Sequence, residues 1–326
     1  MVLILSRTDL EALLPMVDVI GAVEAGFREY AGGRCRVPVR LPLDVPDRNA
    51  LVLFMPAYLP ESGTLGTKIV SVYPDNPARG LPTITGSYLL ADAATGELLA
   101  LMDATYLTAI RTAAASALAT RLLARPDARV LGIFGAGVQA RFHVWALRTV
   151  ARIDEVVVFN RTPERAHGFA DDMTAAHGIP VRVAATPDEC ARSADLIATC
   201  TRSAVPVFDG HALRPGTHIN AVGAYTPEMR ELDEETVIRA KVVVDTYAGA
   251  MAEAGDLLIP IRQGRMTEAH IHAELSELVI GKKTGRESAD EITVFKSVGF
   301  AVEDAVTARL AYERAVRQGV GVQVRL

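Results

Sequence analysis

The spacing of hydrophobic positions divides the chain into an N-terminal helical segment, a β-rich region and a long stretch of alternating strands and helices. Apolar residues recur at near-helical spacing over residues 8–31, which predicts an amphipathic helix that ends at Gly32-Gly33. Short β-rich runs punctuated by Pro, Gly, Asp and Asn fill residues 36–103 and predict an antiparallel or mixed sheet. Residues 104–124 predict a helix whose Ala, Ser and Thr side chains let another element approach closely.

From residue 129 onward, strand patterns alternate with helix patterns. Such alternation implies parallel pairing through right-handed crossovers, which is typical of a Rossmann-type domain. The final segment, "ITVFKSVGFAVEDAVTARLAYERAVRQ", begins as a strand or loop and becomes a long helix that we expect to return to the first domain. We therefore predict an α/β fold in which a Rossmann domain, residues 125–299, is inserted into a discontinuous α+β domain, residues 1–124 and 300–326.

Composition excludes several classes of protein. Half of the 326 residues are hydrophobic and the net charge is −5, so the chain can bury a large core and shows no basic stripe for nucleic acid or a membrane surface. No apolar run reaches the length of a membrane-spanning helix, and the N-terminus lacks the basic region of a secretion signal, so we expect a cytoplasmic protein. We expect free thiols at Cys35, Cys190 and Cys200 and no metal site, since even the tight pair His270 and His272 would not share a helix face.

A glycine motif lies between a predicted strand and a predicted helix. The residues Gly135-Ala136-Gly137-Val138-Gln139-Ala140 read G-x-G-x-x-A. The first glycine permits the tight turn, the second lets backbone N–H groups approach a pyrophosphate, and the small third position allows close packing of helix and strand. This context predicts a dinucleotide site that includes residues 135–139.

The end of the next predicted strand bears on which dinucleotide is bound. NAD enzymes tend to place Asp or Glu there, whereas this chain has Asn160-Arg161-Thr162. No carboxylate would repel a 2′-phosphate, and Arg161 with Thr162 could bind one. The pattern favours NADP(H), with NAD(H) as the alternative cofactor. The other interpretation is that Arg161 is only a solvated residue at the start of a helix.

Three basic residues have apolar or β-patterned neighbours: Arg40 in "VPVRLPL", Lys68 in "LGTKIVSVY" and Arg111 in "LTAIRTAAAS". Because a buried cation is costly unless an anion matches it, three cations in one cleft would suit a carboxylate substrate. The alternative is a set of ordinary salt bridges to nearby acids such as Asp44, Asp75 and Asp103. The pattern alone leaves both interpretations open.

Several segments in order resemble the ornithine cyclodeaminase/mu-crystallin family over nearly the whole chain. They include "MPAYLPESGTLGTKIVSVYPDN", "LLALMDATYLTAIRTAAASALAT", "VLGIFGAGVQA", "VVVFNRTPERA", "GTHINAVGAYTPEMRELD" and "TVFKSVGFAVEDAV". The resemblance implies a two-domain homodimer. Its N-terminal domain would supply the substrate site and a dimerising β-sheet, and its Rossmann domain would hold NAD(H) or NADP(H).

The same resemblance assigns site residues. Arg40, Lys68 and Arg111 match the family's carboxylate-binding or active-site residues. Lys68 is interpreted as a proton donor or electrostatic orienter whose pKa the two arginines would lower. The resemblance places Val222, Gly223, Ser297, Val298 and Gly299 near the nicotinamide. Cys200 and Thr201, at the end of another predicted strand, complete the predicted cofactor site.

Two departures from the cyclodeaminase pattern favour one activity of the family. Where cyclodeaminases carry an Asp and a Glu, this chain has Tyr225 and Leu53. Losing both carboxylates suits a cyclic imino acid with an uncharged tail, and Tyr225 is either an aromatic wall or a partner of the imine nitrogen. We predict NADPH-dependent reduction of Δ1-pyrroline-2-carboxylate or Δ1-piperideine-2-carboxylate to L-proline or L-pipecolate. Ornithine cyclodeaminase, an alanine-dehydrogenase-like enzyme and an NADPH-binding crystallin-like protein are the alternatives.

Overall fold

The computed structural model describes residues 1–325. It divides into two compact units: unit 1 comprises Met1–Arg111 and the described residues from Ala301 onward, and unit 2 comprises Thr112–Phe300. The first boundary falls inside a helix, whereas the sequence pattern predicts it later, where that helix ends at residue 124. The functional domain limits stay a prediction.

Unit 1 contains a seven-stranded sheet and three complete helices, together with the start of a fourth. Its elements are β1 (Val2–Leu5), α1 (Arg7–Leu13), α2 (Met16–Ala31), β2 (Leu41–Val45), β3 (Ala50–Leu59), β4 (Thr64–Val72), β5 (Ile84–Asp92), β6 (Leu98–Asp103), the first part of α3 (Ala104–Leu123), α11 (Ala301–Gln318) and β15 (Val322–Val324). The strand order is β15-β1-β6-β5-β4-β3-β2. All neighbours are antiparallel except β1 and β6, so the predicted mixed or antiparallel sheet is confirmed.

The single helix predicted over residues 8–31 is wrong, because the chain breaks between α1 and α2 at Pro15. A proline disfavours helical backbone in the residue before it and is tolerated at a helix start. The first helix begins at Ser6, whose hydroxyl accepts a hydrogen bond from the Asp9 amide while the Asp9 carboxylate accepts one from the Ser6 amide.

Helix α11 packs on α2 and on the buried face of strands β3, β4 and β5. The two helices approach closely at Gly26, where an added Cβ would lie 2.8 Å from Val306 and 2.9 Å from Val302. The side chains of the first turns of α11 are therefore buried against the sheet. This packing positions the polar residues of α11 beside β4.

Unit 2 is an eight-stranded parallel sheet with helices on both faces. Its elements are the remainder of α3, β7 (Val130–Phe134), α4 (Val138–Val150), β8 (Glu155–Phe159), α5 (Pro163–His177), β9 (Val181–Val183), α6 (Pro187–Ser193), β10 (Leu196–Thr199), β11 (His218–Ala221), α7 (Glu234–Arg239), β12 (Lys241–Val244), α8 (Tyr247–Glu253), α9 (Gly255–Arg262), β13 (Ile271–Glu274), α10 (Leu275–Val279) and β14 (Thr293–Lys296).

The strand order in unit 2 is β13-β12-β14-β11-β10-β7-β8-β9. From β11 to β9 the strands follow the doubly wound order. Strands are added on one side of β7 up to β9 and then on its other side from β10, so the order reverses between β7 and β10 while the strands stay parallel. The predicted Rossmann domain is therefore confirmed. Leu196 and Ile197 on β10 pack into two different apolar clusters, which means that both faces of the sheet are covered.

Among residues 1–325, no helix combines the length and apolar character that crossing a lipid bilayer requires.

Candidate functional site

The predicted cofactor residues of unit 2 all follow the carboxyl ends of strands in the parallel sheet. Residues 135–139 follow β7, residues 160–162 follow β8, Cys200 and Thr201 follow β10, Val222 and Gly223 follow β11, and residues 297–299 follow β14. In open α/β sheets, ligands bind at this edge, at the point where the strand order reverses. The topology thus brings the predicted residues to one edge of one sheet.

The glycine loop has no room for a side chain at Gly135, where it turns, and open space at Gly137, where the next helix begins. Gly135 has φ +103°, and a Cβ there would lie 2.9 Å from the carbonyl oxygen of Cys200. Gly137, by contrast, has open space where its Cβ would be, and no side chain caps the helix that follows. The first amides of α4 lack intrahelical partners, which fits the binding of a pyrophosphate.

A buried carboxylate that the sequence pattern did not indicate joins two of these loops. Glu231 is fully buried and accepts hydrogen bonds from the Thr199 hydroxyl at 2.8 Å, the Thr201 amide at 2.6 Å, the Thr201 hydroxyl at 2.7 Å and the Gly223 amide at 2.7 Å. Burial raises the pKa of Glu231. At Gly223, an added Cβ would lie 2.1 Å from the Thr201 carbonyl oxygen, so only glycine allows the two loops to meet.

A second buried carboxylate holds the loop after β14. Asp245 accepts hydrogen bonds from the Ser297 hydroxyl at 3.1 Å, the Val298 amide at 2.8 Å and the Gly299 amide at 2.9 Å. Its sequence signal is a single acid directly after the apolar run "KVVV". Both carboxylates give fixed backbone positions to loops in which we predict cofactor residues.

The residues predicted to choose between NAD and NADP lie at the end of β8, where Asn160 is half-buried. The Asn160 side chain donates to the Thr162 carbonyl at 3.0 Å, which shapes the turn into α5. Arg161 and Thr162 are exposed, and no acid lies among residues 160–162. This surface leaves the Arg161 guanidinium accessible to a phosphate.

Unit 1 brings two of the three predicted cations into direct contact with two acids. Lys68 lies on the buried face of β4, where Thr64, Gly66 and Val70 are also buried. Its Nζ is 2.9 Å from Oδ1 and 2.8 Å from Oδ2 of Asp304. Arg111 donates from Nε to Oδ1 of Asp304 at 2.8 Å and from Nη1 to Oε2 of Glu303 at 2.7 Å.

All four side chains of this cluster are buried, with exposed fractions of 1% for Lys68, 4% for Arg111 and 0% for both acids. The ion pairs exist, but their acids are on α11 and are not the expected Asp44, Asp75 and Asp103. Asp103 instead accepts from the Tyr106 amide at 2.7 Å, and Asp44 and Asp75 are exposed. The physical reason is that α11 covers the buried face of β4, far along the chain from Lys68.

The electrostatic environment of Lys68 is mixed. Burial first, and then Arg111, lower its pKa to about 8, while Asp304 opposes them and Arg40 adds a small lowering effect. Arg40 is half-buried directly before β2. The buried cluster thus contains two cations and two carboxylates.

A tyrosine whose hydroxyl has no hydrogen-bond partner among the described residues lies next to this cluster. Tyr88 is fully buried opposite Lys68 on β5, and its hydroxyl has no hydrogen-bond partner among residues 1–325. Burial and the charge of Asp304 raise its pKa, which keeps the hydroxyl protonated at neutral pH. An added Cβ at Gly66 would lie 2.5 Å from this hydroxyl, so the glycine makes room for it.

The two residues that depart from the cyclodeaminase pattern, Leu53 and Tyr225, are packed inside the protein or against its apolar core. Leu53 is buried on β3, and the half-buried Tyr225 packs against an apolar cluster of unit 2. The packing of Tyr225 suits the aromatic-wall interpretation, and its role in substrate binding stays a prediction. Cys35, Cys190 and Cys200 are free thiols, as expected.

Comparison with known proteins extends the similarity to the whole chain. The sequence profile described as the ornithine cyclodeaminase/mu-crystallin family matches residues 2–319. A Δ1-pyrroline-2-carboxylate reductase from Bacillus cereus is 41% identical over 323 residues, which cover 99% of each chain.

Two solved structures are similar over their full lengths. The Δ1-pyrroline-2-carboxylate reductase of Thermococcus litoralis, in complex with NADH and L-proline, has a TM-score of 0.97 and 47% identity, with 99% of this chain and 100% of that chain covered. An archaeal alanine dehydrogenase dimer with bound NAD has a TM-score of 0.94 and 37% identity, with 99% of each chain covered. The chain therefore belongs to the ornithine cyclodeaminase/mu-crystallin family.

Proposed function

We propose that the protein is an NAD(P)H-dependent oxidoreductase that reduces the C=N bond of a cyclic 2-imino acid. Its substrate would be Δ1-pyrroline-2-carboxylate or Δ1-piperideine-2-carboxylate, and its product L-proline or L-pipecolate. The observation that carries the proposal is the buried cluster of Lys68 and Arg111 in unit 1, in a chain 47% identical to a reductase that binds NADH and L-proline.

In this proposal, unit 1 binds the imino acid. Arg40 and Arg111 attract the substrate carboxylate, for which a guanidinium provides a bidentate donor. Lys68 is the proton donor: its Nζ gives a proton to the imine nitrogen, whose lone pair forms the new N–H bond. A pKa of about 8 leaves Lys68 largely protonated at neutral pH yet a stronger acid than an ordinary lysine.

Unit 2 binds the dinucleotide along the edge of its parallel sheet. When bound, the reduced nicotinamide supplies the hydride that the imine carbon takes up. The protein's part is to hold the loops in place, and the hydrogen bonds of Glu231 and Asp245 do this for the loops after β10, β11 and β14. Such preorganisation lowers the cost of orienting the reactants.

Two apolar positions argue against ornithine as the substrate. The ammonium group at the end of the ornithine side chain would need a carboxylate partner when buried. In place of the two acids of the cyclodeaminase pattern, this chain has a buried leucine at 53 and a packed tyrosine at 225. A cyclic imino acid has no charge on its ring carbons and therefore needs no carboxylate partner there.

Alanine dehydrogenation is the second candidate function, favoured by the 37% identity to the archaeal alanine dehydrogenase. One assay separates the candidates: oxidation of NADPH or NADH with Δ1-pyrroline-2-carboxylate, with Δ1-piperideine-2-carboxylate, or with pyruvate plus ammonia. We expect the cyclic imino acids to be reduced faster than pyruvate is aminated. Ammonia release from ornithine, or faster turnover of pyruvate, would contradict the proposal.

We further propose that NADPH is preferred over NADH, since Arg161 and Thr162 offer partners to a 2′-phosphate. Replacing Arg161 with alanine is expected to lower kcat/KM with NADPH by about 10-fold, the value of one charged hydrogen bond, and to leave kcat/KM with NADH nearly unchanged. The measurement is the ratio of the two kcat/KM values. Arg152→Ala is the control, because Arg152 is an exposed arginine of the same unit that precedes β8 instead of following it.

An unchanged ratio in Arg161→Ala would show that Arg161 is only a solvated residue at the start of α5. The solved relatives compared above contain NADH and NAD, so the preference for NADPH is tested separately from the reaction.

We also propose that the protein is a homodimer that associates through unit 1. Strand β2 forms one edge of the sheet, and Val39, Leu41 and Leu43 near it are 50%, 64% and 53% exposed. An edge strand with exposed apolar side chains favours association. A Leu41→Glu/Leu43→Glu variant is expected to be monomeric by light scattering, whereas Val205→Glu, at an equally exposed valine of unit 2, should stay dimeric. A dimeric double variant would place the interface elsewhere.

A further inference from the structure

The acids of α11 are not part of any prediction from the sequence, yet they form the ion pairs of Lys68 and Arg111. Asp304 is shared: both of its oxygens lie within 2.9 Å of Lys68 Nζ, and Oδ1 also accepts from Arg111 at 2.8 Å. Glu303 accepts a hydrogen bond from Arg111 at 2.7 Å. The two acids therefore differ in their contacts, since Asp304 pairs with both cations whereas Glu303 pairs with Arg111.

We infer that Asp304 is the positioning residue of this site, which holds Lys68 as an ammonium ion beside Arg111 and so keeps available the proton that Lys68 donates to the substrate nitrogen. The inference rests on the proposed function, and it concerns a residue that acts through Lys68 and does not itself contact the substrate.

The first argument is the cost of burying two cations together. Lys68 and Arg111 have exposed fractions of 1% and 4% and share one partner atom. A buried ammonium next to a buried guanidinium loses its proton unless a carboxylate compensates both desolvation and repulsion. Asp304 is the carboxylate in contact with the ammonium. Without it, the pKa of Lys68 would fall further, and less of the ammonium form would be present to act as an acid.

The second argument is geometric. An ammonium has three N–H groups, and one carboxylate engages at most two of them. At least one N–H of Lys68 is therefore left for a further acceptor such as an imine nitrogen. Asp304 also fixes the Nζ position, because a side chain held at 2.9 Å and 2.8 Å from two oxygens has little rotational freedom.

The charged and titratable groups that face Lys68 come from each neighbouring element. Arg111 on α3 and Arg40 before β2 lower its pKa, while Asp304 on α11 raises it. Tyr88 on β5 is opposite Lys68 and stays a neutral phenol. On β3 the partner in register is Met55, which does not titrate. Glu303 belongs to the cluster through Arg111 and does not contact Lys68.

The test reads the protonation of Lys68 directly. The chain contains five lysines, so protein labelled with ¹³C at lysine Cε gives few signals, and the signal that disappears in Lys68→Met identifies Lys68. We expect a titration midpoint near pH 8 in the native protein. In Asp304→Asn the midpoint should fall by about 1 pH unit or more, since the opposite charge is lost.

Two matched variants separate charge from structure. Glu303→Gln is the same chemical change at the adjacent buried acid, and Asp304→Glu keeps the charge. Both should leave the Lys68 midpoint close to its native value. Because a donor must be protonated, kcat/KM falls as the pH rises through its pKa, so the alkaline limb of the rate profile should move to lower pH in Asp304→Asn only.

A Lys68 midpoint that is the same in Asp304→Asn and in the native protein overturns the inference. So does a midpoint that moves while the alkaline limb of kcat/KM stays in place, because Lys68 would then not be the proton donor. If Asp304→Asn does not fold, Asp304→Ser removes the same charge with a smaller side chain and decides the question. Failure of the proposed function is a separate result: the native protein would reduce no cyclic imino acid, whatever the titration shows.

Discussion

Replacing Lys68 with methionine is expected to lower kcat for imino acid reduction by about 10²- to 10⁴-fold, the usual contribution of a positioned general acid. Methionine fills a similar volume but has no proton to donate. Because Lys68 belongs to unit 1, binding of NADPH by unit 2 should persist, as measured by the fluorescence of the bound reduced nicotinamide. Activity and cofactor binding should therefore respond differently to this one change.

The control for Lys68→Met keeps the positive charge. Lys68→Arg can still pair with Asp304, but a guanidinium does not give up its proton near neutral pH. We expect it to fold as the native protein does, to remain slow, and to lose the alkaline limb that the native enzyme shows near pH 8. Near-native turnover in both variants would remove Lys68 from the mechanism.

Replacing Arg111 with methionine is expected to lower the free energy of unfolding by about 3–5 kcal/mol, in addition to abolishing activity. Glu303 would lose the guanidinium that it contacts at 2.7 Å, and Asp304 would keep only Lys68. Removing one partner of a buried ion-pair cluster costs more than the methionine gains by packing, because the buried carboxylates lose a cation that compensates their desolvation. The measurement is the midpoint of urea unfolding for the purified protein.

Two further variants test whether the loss of stability comes from the buried carboxylate of Glu303. Arg111→Met/Glu303→Gln also removes the carboxylate that contacts Arg111 and should recover part of the stability while activity stays low. Arg121→Met, at an exposed position of the same helix, should change the free energy of unfolding by no more than about 0.5 kcal/mol. If Arg111→Met unfolds at the native midpoint, the buried cluster does not contribute to stability as described.

Local patterns in the sequence predicted much of the fold. Strand and helix alternation after residue 129 indicated the parallel sheet, since each strand of such a sheet is buried on both faces and reads as an apolar run. The antiparallel region from β2 to β6 was visible from its turns. At 92–97, for example, the Asp92 carboxylate accepts from the Ala94 and Thr95 amides and Gly96 has φ +77°.

Other features of the fold could not be read locally. The position of β14 between β11 and β12 joins strands that are far apart along the chain, and no pattern within a strand specifies its neighbours. The strands β1, β13 and β15 were not predicted from the sequence. The break at Pro15 was readable, because proline restricts its predecessor, but the apolar spacing on either side continues in phase.

The candidate site divides in the same way. The chain by itself indicated the glycine loop, the strand ends and three basic residues with apolar neighbours, because these patterns depend on residues near one another in sequence. The resemblance to the family assigned the three basic residues to the site, and that assignment stays a prediction. Only the tertiary structure supplied the acids: Asp304 is 236 positions from Lys68, and Glu303 is 192 positions from Arg111. The reason is that a buried cation requires a carboxylate in contact with it. The sequence indicates that such a carboxylate is needed, but only the packing of α11 against the sheet shows which residue provides it.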